Sequence, residues 1–123
     1  MSYAQRHAVT LTTDASGDAT GYTPMVTGRI SQIRYVKTDF ADGVDFTVTS
    51  EATGETIWAE TNVNSSATRA PRQATHGTDG TAALYAAGGA AVQAPIALAN
   101  DRVKIVVASG GDTKTGTVHV VLD

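Results

Sequence analysis

Alternating apolar and polar residues mark much of this chain as β-strand. In the stretch VDFTVTS, Val44, Phe46 and Val48 alternate with polar residues, which predicts a strand with one buried face. The glycine-containing turn EATGE then leads into TIWAET, so residues 44–61 predict a β-hairpin. Trp58 in the second strand is expected to be a large contributor to the core.

Strands are also predicted at both ends of the chain. The segment RHAVTLTT places Val9 and Leu11 on one face, and the polar turn DASGD that follows predicts a hairpin into ATGYTPMV. Near the C-terminus, residues 96–109 and 116–123 form two β-patterned runs on either side of GGDTK. This arrangement predicts a terminal hairpin.

Two features of the intervening strands indicate irregular pairing. Ile30 and Ile33 in GRISQIRYVK differ in parity, which predicts either partial covering of both faces or a β-bulge. Pro24 lacks a backbone N–H, so the strand that contains it is expected to lie at a sheet edge or to end there.

These patterns together favour an all-β domain. About eight short strands without helical repeats predict an antiparallel β-sandwich or a barrel-like sheet. A chain of 123 residues, with 17% charged and 6% aromatic residues, has the size of one domain, residues 1–123.

The strand pattern lapses between residues 62 and 95, which predicts a long irregular insert. Its Ala/Gly-rich part, GTDGTAALYAAGG, is predicted to carry a short helical turn over residues 81–87 that ends at Gly88. Leu84 and Tyr85 would be the apolar anchors of that turn. So short a turn needs packing against its own sheet or another copy, so the insert is a candidate assembly segment.

Arg69 and Arg72 flank Pro71 inside this insert. Ordinary surface charge is one interpretation of the pair. The other is an ion pair with an acidic neighbouring subunit, for which the planar guanidinium is well suited. Arg69, Arg72, Leu84 and Tyr85 are therefore the predicted subunit-interface residues.

Charge and residue types argue against several chemistries. The net charge of −3 disfavours nucleic acid and anionic membranes as partners, and no apolar run has the length of a membrane helix or a signal peptide. The absence of cysteine excludes disulfides and thiolate metal sites. His7, His76 and His119 lack the spacing of common metal sites, and no nucleophile-elbow or P-loop motif occurs. We expect no catalytic residue, metal or cofactor.

The run from VTLTTDASGDATGYTPMV through NSSATRAPRQATHGTDGTAALYAAGG to NDRVKIVVASGGDTKTGTVHV resembles small virion structural proteins of tailed bacteriophages. The resemblance implies a non-enzymatic homo-oligomer in the virion that decorates the capsid or belongs to the neck or tail. Its partners would be copies of itself and the major capsid or neck proteins. Residues 62–95 and Ser2–Arg6 would then contact adjacent subunits.

Two other classes remain as alternatives. A carbohydrate-binding β-sandwich module would need exposed aromatic residues, but Trp58, Tyr22, Tyr35 and Tyr85 are few and most of them suit a core. A small hydrolase is opposed by the missing catalytic spacings.

Overall fold

The computed structural model describes residues 4–123, and within that range the chain forms strands and turns but no helix. Of the predicted N-terminal contact segment, Ser2 and Tyr3 lie outside the described residues. The strands are β1 (Gln5–Thr12), β2 (Ala19–Tyr22), β3 (Val26–Lys37), β4 (Asp45–Ser50), β5 (Thr56–Glu60), β6 (Ala67–Arg69), β7 (Arg72–Ala74), β8 (Gln93–Pro95), β9 (Ala97–Asp101), β10 (Val103–Ala108) and β11 (Thr115–Leu122).

These strands form antiparallel sheets, which confirms the all-β prediction. The first sheet has the order β1-β11-β3, and the free edge of β3 pairs with β6 at one end and with β9 at the other. The second sheet has the order β2-β10-β4-β5, while β7 and β8 pair with each other. The eleven strands exceed the predicted eight because the 62–95 interval contains the short strands β6, β7 and β8.

The core lies between the two large sheets and contains the side chains that the alternation placed inside. Val44, Phe46 and Val48 are at most 1% exposed, as predicted. The Phe46 ring lies 4.6 Å from that of Tyr35 and 5.2 Å from that of Trp58, between ring centroids. Burial raises the pKa of the Tyr35 hydroxyl to about 12, because the charged phenolate is poorly solvated there.

The chain passes from one large sheet to the other at a corner that two strand pairs form. β2 pairs with β10 in one sheet, and the chain continues through Pro24 into β3, which pairs with β9 in the other. At the corner, the Thr23 N–H donates to the Val103 carbonyl (3.1 Å) and the Val103 N–H donates to the Thr23 hydroxyl (3.0 Å). Strand β2 ends before Pro24 and lies at a sheet edge, as predicted.

Asp101, the last residue of β9, stabilises the same corner. Its carboxylate accepts hydrogen bonds from the Ser50 hydroxyl, from the Ala52 N–H (3.1 Å) and from the Arg102 N–H (2.7 Å). These donors, the Ser50 hydroxyl foremost, lower the pKa of the Asp101 carboxyl, because they stabilise its charged form.

Two predicted hairpins are wrong. The turn at residues 13–18 has the predicted local form, since Asp14 caps it and Gly17 has a φ of 85°, but β1 and β2 belong to different sheets. The C-terminal strands β10 and β11 are likewise in opposite sheets. Their apolar faces meet across the core rather than side by side, a difference that alternation alone does not encode.

The irregularity of β3 is a bulge. Val121 in β11 pairs with Gln32, but the next residue, Leu122, pairs with Ile30, so that Ser31 is left over. This shift turns both Ile30 and Ile33 inward, where each is fully buried.

Candidate functional site

Residues 72–95, which we call the arm, leave the first sheet at one point on its edge. β6 pairs with residues 33–35 of β3, and β9 pairs with residues 26–29 of the same strand edge. The chain departs from the sheet after β6 and returns before β9, where the Ile30 N–H donates to the Ile96 carbonyl (2.9 Å). The arm is therefore an insertion at the bulged part of β3.

Three backbone hydrogen bonds close a ring at the centre of the arm. The Thr75 N–H donates to the Val92 carbonyl (2.8 Å), the Val92 N–H to the Ala83 carbonyl (2.9 Å), and the Ala83 N–H to the Thr75 carbonyl (3.0 Å). The Thr75 hydroxyl adds a second bond to the Val92 carbonyl (3.0 Å). Three antiparallel stems meet at this ring: the β7–β8 pair and two short hairpins.

The predicted helical turn over residues 81–87 is wrong. Ala82 bridges to His76 and Leu84 bridges to Ala91, so the segment runs as two hairpin stems. Gly88 has the expected positive φ (72°), but it serves a turn in which the Gly89 N–H donates to the Ala86 carbonyl (2.8 Å). In a helical turn the N–H groups of this segment would donate to carbonyls of the same turn. Here the Ala83 N–H donates to another stem as part of the ring.

The first hairpin is closed by an aspartate turn. The Asp79 carboxylate accepts a hydrogen bond from the Thr81 N–H (3.0 Å), and Gly80 adopts a φ of 83°. This bond lowers the pKa of Asp79. Asp79 therefore caps this turn.

The arm exposes its largest apolar side chains. Leu84 is 44% exposed and Tyr85 is 76% exposed, and both lie at the hairpin whose turn spans residues 86–89. No residue of the arm falls in the buried class. Both predicted anchors are therefore exposed, and neither belongs to the buried core between the large sheets.

Arg69 is already paired within the chain. Its guanidinium donates two hydrogen bonds to the Glu60 carboxylate, at 2.7 and 2.8 Å, and the Trp58 indole N–H donates to the same group at 3.1 Å. The Arg69 bond is the main reason that the pKa of Glu60 is lowered. This contact ties β6 to β5, and so links the two large sheets.

Arg72 lies at the base of the arm. Its guanidinium donates to the Pro71 carbonyl (2.8 Å) and to the Ser31 carbonyl at the β3 bulge (3.3 Å). Arg69 and Arg72 therefore contact different parts of their own chain. Their contact with a neighbouring subunit stays a prediction.

Within residues 4–123, no group of three or more histidine, aspartate or glutamate side chains is placed to hold a metal ion. In the same range no helix has the length and apolar character needed to cross a membrane.

No protein-family model and no curated protein matches this sequence. Among solved structures, dimeric latent PorU from Porphyromonas gingivalis is similar, with a TM-score of 0.40 and 10% identity. The match covers 97% of this chain and 12% of that protein. So distant a likeness bears on neither the fold nor the function of the present chain.

Proposed function

We propose that this protein is a structural component of a tailed-bacteriophage virion, in which it binds neighbouring subunits through the arm. The observation that carries the assembly role is the arm itself, whose backbone is held together by hydrogen bonds within the arm while Leu84 and Tyr85 are exposed. The virion setting rests on the sequence resemblance, and decoration of the capsid is the favoured place within it.

The energetics of the arm support a binding role. Short hairpins without a buried apolar face are marginally stable in water, because hydrogen bonds to the protein largely replace hydrogen bonds to water. A neighbouring surface that covers Leu84 and Tyr85 would supply the missing apolar burial, at about 25 cal/mol per Å². Aromatic side chains are also the residues that most often dominate binding energy at interfaces.

The position of the arm supports the same role. Its stem is joined to the bulged part of β3 by the Arg72 contact with Ser31 and by the return of the chain at Ile96. The arm is therefore held at its base by the rigid sheet, while its tip is presented to solvent. This geometry orients a contact surface at a fixed point on the sandwich.

A carbohydrate-binding module has less support. Such a module needs an exposed aromatic platform, but Trp58 and Tyr35 belong to the core. Among the described residues the exposed aromatic side chains are Tyr22 (40%) and Tyr85 (76%). The guanidinium of Arg102 lies 4.0 Å from the centre of the Tyr22 ring, over one of its faces.

Sedimentation velocity over a range of protein concentrations tests the proposal. We expect the unaltered chain to form an oligomer, and the double variant Leu84→Ser, Tyr85→Ser to remain monomeric with the thermal midpoint that the unaltered chain has when dissociated. Met25→Ser is the matched control, because Met25 is 57% exposed but lies outside the arm. Oligomers that persist in the double variant, or an unaltered chain that is monomeric at every concentration, would contradict self-association through the arm.

A further inference from the structure

A groove lies on the outer face of the first sheet, and no arm residue lines it. Its volume is about 220 Å³, and its lining consists of two arginines, a histidine, a glutamine and two valines: Arg6, Arg34, His119, Gln32, Val36 and Val121. These residues come from three adjacent strands, β1, β11 and β3.

Strand register explains how these distant residues meet. Arg6 is opposite Val121, which is opposite Gln32 on the far side of β11. Two residues further along the strands, on the same face, Ala8 is opposite His119, which is opposite Arg34. The first and third strands lie about 9.5 Å apart, so the two long arginine side chains flank the central strand. The small Ala8 side chain leaves room beside the imidazole.

The charges in the groove lack partners of opposite sign. Ion pairs within residues 4–123 form at Lys37, Arg69 and Arg102, and none includes Arg6 or Arg34. Among the residues that the structure describes, the side chain of Arg34 makes one hydrogen bond, to the neutral Thr68 hydroxyl at 3.0 Å. Two guanidinium groups therefore meet around one cavity in a chain whose net charge is −3.

His119, which also lines the groove, has an unpaired ring nitrogen. Its Nδ1 atom is shielded from solvent and has no hydrogen-bond partner among the described residues. Buried polar atoms are nearly always paired, and an unpaired one costs about 1–3 kcal/mol. A ligand that enters the groove would restructure hydrogen bonding around this ring, which makes His119 the natural reporter of binding.

We propose that the groove binds the carboxylate of an acidic side chain on a partner protein. Arginine forks bind carboxylates through two parallel hydrogen bonds, and Val36 and Val121 would contact the methylene groups of that side chain. A polyanion such as nucleic acid is disfavoured, because the groove holds two arginines and the chain as a whole is acidic. The proposal is independent of the arm and does not rest on the proposed function.

Nuclear magnetic resonance titration of the full chain tests the proposal with three probes. These are a capped hexapeptide of alternating aspartate and glycine, the same peptide with asparagine, and a single-stranded hexanucleotide. We expect the aspartate peptide to give saturable shifts at His119 and the arginine side chains, the asparagine peptide to give none, and the nucleotide to bind more weakly. Stronger binding of the nucleotide, or equal shifts from both peptides, would overturn the proposal.

Three single variants then assign the site. Arg34→Gln and Arg6→Gln should each weaken binding of the aspartate peptide at least about tenfold, because each removes a charge-assisted contact. Arg6→Gln guards against a folding artefact, since no side-chain hydrogen bond of Arg6 supports the sheet among the described residues. Arg29→Gln is the matched control on β3 outside the groove lining and should bind as the unaltered chain does. If Arg34→Gln and Arg6→Gln bound the aspartate peptide as tightly as Arg29→Gln does, the assignment would be overturned.

Discussion

The sandwich and the arm use the same backbone chemistry but differ in what their side chains do. Both are built from antiparallel pairs joined by backbone hydrogen bonds. The sandwich adds a continuous core of buried apolar residues, whereas no arm residue is buried. Since hydrogen bonding gives little net stability in water, we assign most of the free energy of folding to the sandwich and expect the arm to be the less stable region.

Replacing one aromatic residue in each region should separate them most clearly. Phe46→Ala removes a ring that stacks on Trp58 and lies tilted against Tyr35, and we expect it to lower the free energy of unfolding by about 3–5 kcal/mol. Tyr85→Ala should change it by less than about 0.5 kcal/mol, because that ring is 76% exposed. Urea unfolding of the dissociated chain measures both values. Similar losses in the two variants would contradict the comparison.

A glycine pair gives a smaller contrast of the same kind. A Cβ atom at Gly116 would lie 2.5 Å from the Phe40 ring, so Gly116→Ala forces buried atoms apart and should cost about 1–3 kcal/mol. Gly77→Ala in the arm is the control, because its nearest neighbour is the exposed Asp79 carboxylate at 3.3 Å. Thermal unfolding should show a lower midpoint for Gly116→Ala, and an unchanged midpoint for Gly77→Ala. A neutral Gly116→Ala would mean that the core is not packed as described.

The corner carboxylate predicts a smaller, pH-dependent effect. The pKa of Asp101 is lower in the folded chain than in the unfolded chain, where an aspartate has a pKa of about 3.9. The unfolded state therefore binds more protons between the two values, and stability from Asp101 is present above pH about 4 and is lost as pH falls through the lowered pKa. Asp101→Asn should reduce stability at neutral pH and flatten its decline in acid.

Urea unfolding between pH 2 and 7 measures that effect. Asp18→Asn is the control, since the Asp18 side chain makes no hydrogen bond among residues 4–123 and should leave the acid decline unchanged. If the stability of Asp101→Asn declined in acid as that of the unaltered chain does, the Asp101 carboxylate would not be the group that stabilises the corner.

The local patterns were informative wherever one face of a strand is buried. Alternation identifies the inward residues of β4 and the β4–β5 hairpin, and the parity change between Ile30 and Ile33 predicts either partial covering of both faces or a bulge, of which the bulge is observed. It could not distinguish a hairpin from a crossing between sheets, because both connections place the same residues inside. The β10 and β11 strands were misassigned for that reason.

The candidate sites depend on contacts that no local pattern encodes. The ring of Thr75, Ala83 and Val92 joins backbone atoms of small residues, whose sequence gives only turn signals such as Gly80 and Gly88. The groove needs the register of three strands before Arg6, Arg34 and His119 can be seen as neighbours. Leu84 and Tyr85 were recognisable from sequence because apolar residues stand out in a weakly patterned segment.

Hydrogen exchange of individual amides tests the central claim most directly. In the dissociated chain, the amides of Thr75, Ala83 and Val92 should exchange on the order of a thousandfold or more faster than those of β10 and β11, because the arm opens without global unfolding. On assembly, the three arm amides should become protected while the strand amides stay unchanged. Arm amides that are as slow as the core in the dissociated chain, or that gain no protection on assembly, would contradict the account.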